Sequence, residues 1–218
     1  MINQSTFDFL QNLSENNNRD WFAENKTTYQ KAQENILQFV EQLIAEVGIF
    51  DEEILKLDPK KTLFRIYKDT RFSKDKTPYK TNFGAALGMS KGNKIAGYYL
   101  HIEPKKSFLA GGVYQPESGI LKEIRKEISM NGEDFLVIIN DKNFKKYFGE
   151  LSKNDTLVKV PQGFEKTDKM ADFLKLKSIV VMHHLSDDEV LAENSAKNFA
   201  KIYHAMKPLN DFLSAPFQ

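Results

Sequence analysis

The chain has 218 residues, 41% hydrophobic and 28% charged, the balance of a soluble globular protein long enough to bury a core. Its 31 basic and 30 acidic residues leave a net charge of +1, which argues against a general electrostatic binder of DNA or membranes. There is no cysteine, so disulfides, thiolate nucleophiles and cysteine-ligated zinc or iron–sulfur centres are excluded.

The N-terminal residues MINQSTFDFLQNLSENN show no basic leader followed by an apolar core, and no apolar run approaches the roughly 18 residues of a membrane span. A cytoplasmic protein without a membrane partner is expected. Phe7, Leu10 and Leu13 share a helical face, with Ser5 placed to cap and Asp8 three residues on. The run NNN at 16–18 breaks this helix. A longer one follows, carrying Trp21, Phe22, Tyr29, Ile36, Phe39, Val40, Leu43, Ile44 and Val47 and ending at Gly48.

The middle of the chain changes period. Stretches 62–67 (TLFRIY), 81–89, 95–103 and 106–114 read as strands, with KGNK at 91–94 and PKK at 104–106 as hairpin connections. Short links favour antiparallel neighbours. Beyond Pro116, Leu121, Ile124 and Ile128 line one helical face, and Phe135 to Ile139 form a second short helix. Residues 141–177 are mixed, 177–185 (KSIVVMHHL) read as a strand, and Ser186 with Glu189 forms a capping box. That box is expected to open a final helix to about residue 206, interrupted at Pro208. The expectation is one α+β domain over 5–207: a central, mostly antiparallel sheet covered by N-terminal and C-terminal helices.

One stretch concentrates charge. FRIYKDTRFSKDKTPYK, residues 64–80, holds six bases against two acids, a net of +4, so the remaining chain sums to −3. Alternation along an extended FRIY puts Phe64 and Ile66 toward a core and Arg65 and Tyr67 toward a groove. Ser73, Asp75 and Pro78 then favour a turn-rich basic loop. Arg65 and Arg71 can each grip a phosphate or carboxylate with two prongs, whereas Lys74, Lys76 and Lys80 act as mobile point charges. Ser73 and Tyr79 offer hydroxyls, and Asp69 and Asp75 can orient the bases. A solvated loop paired with acids elsewhere is the plain alternative.

In YYLHIE, residues 98–103, Tyr99, His101 and Glu103 alternate onto one face. If this strand lies near FRIY, Arg65 and Tyr67 join that face. His101 beside Glu103 could transfer protons near neutral pH, with Asp69 as a third catalytic candidate. Two ligands alone do not make a metal site, and no metal or cofactor is assigned. His183 and His184 point to opposite faces of their strand. GGVYQP at 111–116 lacks the spacing of a phosphate loop and reads as a tight turn. ENNNRDWF at 15–22 could lend Asn17, Asn18 and Arg19 to a site, although a helix break anchored by Trp21 and Phe22 accounts for it.

Taken in order, NNNRDWF, FRIYKDTRFSKDKTPYKT, GYYLHIEP, FLAGGVYQP, LKEIR and PQGF resemble the domain-of-unknown-function family 2461. The resemblance runs from about residue 5 to about residue 205. It marks Arg65, Lys68, Asp69, Arg71, Phe72, Ser73, Asp75, Lys76, Pro78, Tyr79 and Lys80 as the family's signature here. Lys68 stands where the family often has Arg, which keeps the charge and weakens a two-pronged contact. The resemblance implies a cytoplasmic α+β protein with no agreed activity, cofactor or substrate.

Three functions compete. The first is a site, catalytic or not, for an anionic small molecule, phosphorylated or carboxylated. The second is a nucleic-acid-binding module in which Phe72 or Tyr79 stacks on bases. The third is a structural or interaction protein whose basic segment staples the fold through buried ion pairs.

Overall fold

The structure is a computed structural model that describes residues 1–71, 73–88 and 95–218. Its sheet has four antiparallel strands in the order β1-β2-β3-β4, with flanking helices, so the chain is α+β. The strands are β1 (Phe83–Leu87), β2 (Gly97–Ile102), β3 (Phe108–Val113) and β4 (Ile179–His184). The PKK turn closes β2 onto β3, with the Lys106 N–H donating to the Glu103 carbonyl at 2.9 Å. The expected KGNK turn, and residue 89 of the expected second strand, lie outside the described residues.

One compact unit comprises Met1–Leu87, Tyr99–Leu109 and His184–Lys201. It opens with α1 (Gln4–Glu15), α2 (Arg19–Glu24) and α3 (Lys26–Gly48). Asn3, rather than Ser5, stands at the N-cap of α1, because Asn3 is extended and its N–H is held by Asn35 Oδ1 at 2.8 Å. The expected single helix over 19–48 is two. Asn25 divides it by leaving helical geometry, and its side-chain amide joins its own N–H on the Trp21 carbonyl, at 2.9 and 3.0 Å. Phe7, Leu10, Leu13, Ile36, Phe39, Val40 and Leu43 are all buried, which is the face their helical spacing predicts.

The capping box at Ser186 and Glu189 is present, yet it opens only the short α9 (Asp187–Leu191). The last helix, α10 (Ser195–Ser214), starts later and runs through Pro208 instead of stopping there. Pro208 removes one backbone donor, and the buried side chains of Met206, Leu209 and Leu213 hold the helix across it.

The other unit comprises Gly88–Tyr98, Ala110–His183 and Ile202–Gln218. It contains α5 (Ser118–Met130), α6 (Gly132–Ile139), α7 (Lys142–Phe148) and α8 (Ala171–Leu174), with α4 (Pro59–Thr62) belonging to the first unit. Ile124, Ile128 and Phe135 are fully buried, and Phe135 packs edge-on against Phe173 at 5.1 Å. Gly112 lies inside β3 with φ +104°, where a Cβ would come within 2.0 Å of the Ile179 carbonyl. The two glycines of GGVYQP therefore serve strand packing, not a tight turn. His183 is half-buried, with Nδ1 donating to the Tyr147 carbonyl at 2.7 Å, and His184 is exposed.

Candidate functional site

The basic segment is anchored by a break in strand pairing. Residues 62–67 do not form the expected strand: Thr62 ends α4, and only Leu63 and Tyr67 make isolated antiparallel bridges, to Ala85 and Tyr79. The Phe64 N–H donates to the Gly84 carbonyl at 2.9 Å, and the Lys80 N–H to the Ile66 carbonyl at 2.8 Å. Between these ties one chain passes through Arg65 alone and the other through Thr81, Asn82 and Phe83. The two extra residues interrupt the ladder. The interruption also defeats the expected alternation. Ile66 is buried as predicted, whereas Phe64 is 49% exposed and joins Arg65 and Tyr67 on accessible surface.

Beyond the bulge, the Tyr67–Tyr79 bridge and the Lys68 N–H bond to the Pro78 carbonyl at 2.9 Å close the loop at its base. Its acids are spent inside it. Asp69 takes both prongs of Arg71, Nε at 3.0 Å and Nη2 at 2.7 Å, plus the Arg71 backbone N–H at 3.2 Å. The guanidinium contact, then the backbone bond, hold the Asp69 carboxyl below its ordinary range. Asp75 accepts from Lys68 Nζ and from the Thr77 N–H and hydroxyl, at 2.9 and 2.8 Å, and is likewise depressed, chiefly by Lys68. Ser73 Oγ accepts the Asp75 N–H at 3.1 Å, and Lys76 Nζ donates to the Thr70 carbonyl at 2.9 Å. These pairs shape an exposed loop; they are not buried staples.

Other bases are left over. Arg65 makes no hydrogen bond or ion pair among the described residues, and Lys80 Nζ lies over the Phe64 ring at 5.4 Å. Burial, and then the nearby positive charge of Arg65, push the Lys80 amine below its ordinary value.

Asn17 ties the loop to the N-terminal helices. Its amide donates to the Tyr79 carbonyl at 2.9 Å and its Oδ1 accepts the Tyr79 N–H at 3.1 Å, so one side chain satisfies both backbone groups of a buried residue. Asn18 caps α2 by accepting the Trp21 N–H at 2.9 Å. An open cleft of about 770 Å³ lies between residues 17–19 and the loop. Arg19, Lys68 and Lys76 line it together with Tyr67, Thr70 and Thr77, and no carboxylate does among the described residues. Tyr67 is 55% exposed. Tyr79 also lines the cleft, but its ring stacks on Phe22 at 3.9 Å and is 6% exposed, so it is unavailable for stacking on a base. Phe72, the other expected stacking residue, lies outside the described residues.

The face of β2 behaves as its alternation predicts. Tyr98, Leu100 and Ile102 are buried, while Tyr99, His101 and Glu103 form a chain of hydrogen bonds. His101 Nε2 lies 3.1 Å from Glu103 Oε2, and His101 Nδ1 lies 3.1 Å from the Tyr99 hydroxyl. A carboxylate only accepts, which puts the ring proton on Nε2. Nδ1 then accepts from Tyr99 and, at 3.4 Å, from the Asn82 amide. Residues 81 and 82 come from the bulge, and Thr81 donates to Glu103 Oε1 at 2.9 Å. The imidazole stacks on Phe108 at 4.5 Å. Burial lowers the His101 pKa below its ordinary value, with Glu103 opposing, and burial raises that of Tyr99.

The predicted residues thus fall into separate groups. The cleft gathers Lys68, Lys76 and Tyr79; Asp69 with Arg71, and Ser73 with Asp75, close on themselves; His101 and Glu103 sit on β2. β1 lies between the FRIY segment and β2, so the condition for Arg65 and Tyr67 to share the polar face of β2 is not met, although the Phe64 ring reaches Tyr99 at 6.0 Å. Asn17, Asn18, Arg19 and Tyr99, each already weighed in the sequence, join these groups, and Thr81 and Asn82 are added by the structure. The run NNNR was the signal for the first three. Tyr99 was legible by alternation alone.

Among the described residues no helix is long and apolar enough to cross a membrane, and no three His, Asp or Glu side chains gather as a metal site would require. No curated protein and no solved structure matches the chain. The sequence model of the family described as "Conserved hypothetical protein (DUF2461)" matches residues 5–212, and the chain belongs to that family.

Proposed function

We propose that this protein binds a small anionic molecule, phosphorylated or carboxylated, in the cleft between residues 17–19 and the basic loop. The observation that carries this reading is the cleft's charge: Arg19 and Lys76 line it without an acid partner among the described residues, beside Lys68, which Asp75 already pairs. Such a surface raises the local concentration of anions and suits charge-assisted hydrogen bonds. Its volume of about 770 Å³ falls in the range of small-molecule sites. Asp69 and Asp75 support the site indirectly, by fixing the loop that presents Lys68 and Lys76. The reading includes a cytoplasmic setting.

A proton-transfer role for His101 with Glu103 is the second reading, favoured by the Tyr99 hydroxyl on His101 Nδ1. A hydroxyl, an imidazole and a carboxylate in series can pass a proton inward while the carboxylate stabilises the imidazolium.

A thermal-shift screen of phosphorylated and carboxylated metabolites, with a single-stranded oligonucleotide as a further arm, tests the binding reading. At least one small anion should raise the Tm of the wild type and leave an Arg19→Ala/Lys76→Ala variant unmoved. A screen in which no anion separates the two proteins overturns it. Stabilisation by the oligonucleotide alone, lost steeply with salt, would transfer the cleft to nucleic acid.

A further inference from the structure

A second pocket, of about 530 Å³, is built wholly from residues of the second unit. Its apolar walls are Leu136 and Ile139 of α6 with Leu151, Phe173 and Leu176. Four lysines and two acids surround them. Lys153 pairs with Glu150 at 2.7 Å and Lys175 with Asp172 at 2.9 Å, which uses both carboxylates. Those lysines, with a smaller contribution from Lys145 at Glu150 and from Lys153 at Asp172, hold both carboxyls below their ordinary range. The side chains of Lys145 and Lys169, also on the rim, make no hydrogen bond or ion pair among the described residues.

A further cation adjoins the same wall. Arg125 on α5 is 9% exposed, its Nη2 donates to the Leu176 carbonyl at 2.9 Å, and its Nε has no partner. No carboxylate meets this buried guanidinium among the described residues, and burial alone lowers its pKa. The carbonyl of Leu176, a residue that lines the pocket, is thus held by this guanidinium. An unpaired buried cation is costly, and an anion nearby offsets that cost.

An apolar floor alone would suit a neutral ligand, and lysines alone would suit any inorganic anion. The two together select a molecule with one charged end and one hydrocarbon end. We infer that the pocket lined by Leu136, Leu151, Phe173 and Leu176, with Lys145 and Lys169 on its rim, binds a single-chain anionic amphiphile. The carboxylate or sulfate head meets Lys145 and Lys169, and the alkyl chain lies on the apolar floor. This site is separate from the basic cleft and does not depend on it.

Calorimetric titration of the full chain with octanoate, 1-octanol and acetate tests the assignment, with amide NMR shifts reporting the location. Octanoate should bind most tightly and move the signals of Leu151, Phe173 and Leu176. Lys145→Ala/Lys169→Ala, at exposed positions that leave the fold intact, should weaken octanoate about tenfold, since two surface charges contribute on that scale. Lys145→Glu/Lys169→Glu should weaken it further, and Arg19→Ala/Lys76→Ala should leave it unchanged. Octanol binding as tightly as octanoate would make this a plain apolar cavity, and acetate doing so would make it a plain charge patch. Either result, shifts confined to other residues, or no octanoate binding at all overturns the proposal.

Discussion

At His101 both ring nitrogens are occupied, and the occupants dictate a neutral ring: Glu103 takes the Nε2 proton while Tyr99 and Asn82 donate to Nδ1. A second ring proton would have to displace two donors, in a site where burial already disfavours charge. The ring NMR signals of His101 should therefore titrate below the ordinary histidine value of 6.5. Because Glu103 raises the His101 pKa, Glu103→Gln should lower the midpoint further; a rise would contradict the network. A depressed histidine pKa gives stability that is complete above the ordinary value and lost as pH falls through the folded value. Strand alternation in YYLHIE located this group correctly, since period two is a local property. Charge content could not say which bases of the loop were free. Arg65 and Arg71 look alike in sequence, and only folded geometry commits Arg71 to Asp69 and leaves Arg65 open.

The elements most legible in the sequence were those whose pattern is complete within one segment, such as α1, α3, β2 and the Ser186 capping box. The FRIY segment failed because strand pairing is a joint property of two chains. Two extra residues in its partner, at Thr81 and Asn82, break the ladder, and nothing within FRIY announces them. Pro208 misled in the opposite direction, since buried neighbours on α10 outweigh the one donor it removes. Asn17 is the tie between α1–α2 and the loop. Asn17→Ala would leave both backbone groups of the buried Tyr79 without their partners, a loss of about 1–3 kcal/mol. Urea unfolding measures it, and hydrogen exchange at Tyr79 should accelerate at the same time. A variant as stable as wild type would mean that the tie does not hold the loop.

Across the whole molecule the charges nearly cancel, yet their distribution is uneven: a net of +4 sits in residues 64–80 against −3 elsewhere. The structure sorts that surplus. Asp69 and Asp75 absorb Arg71 and Lys68, Arg65 and Lys80 make no ion pair among the described residues, and Lys76 with Arg19 faces the cleft. The sequence announced the surplus but not its destination, because Arg19 arrives from a segment nearly fifty residues away from Lys68. The most direct measurement of anion binding in this cleft is a calorimetric titration with inorganic pyrophosphate, run on wild type and on Arg19→Ala/Lys76→Ala. Binding to wild type that weakens with added salt, and falls about tenfold or more in the variant, is the predicted result. Equal affinity in the two proteins, or no binding to wild type at low salt, would contradict it.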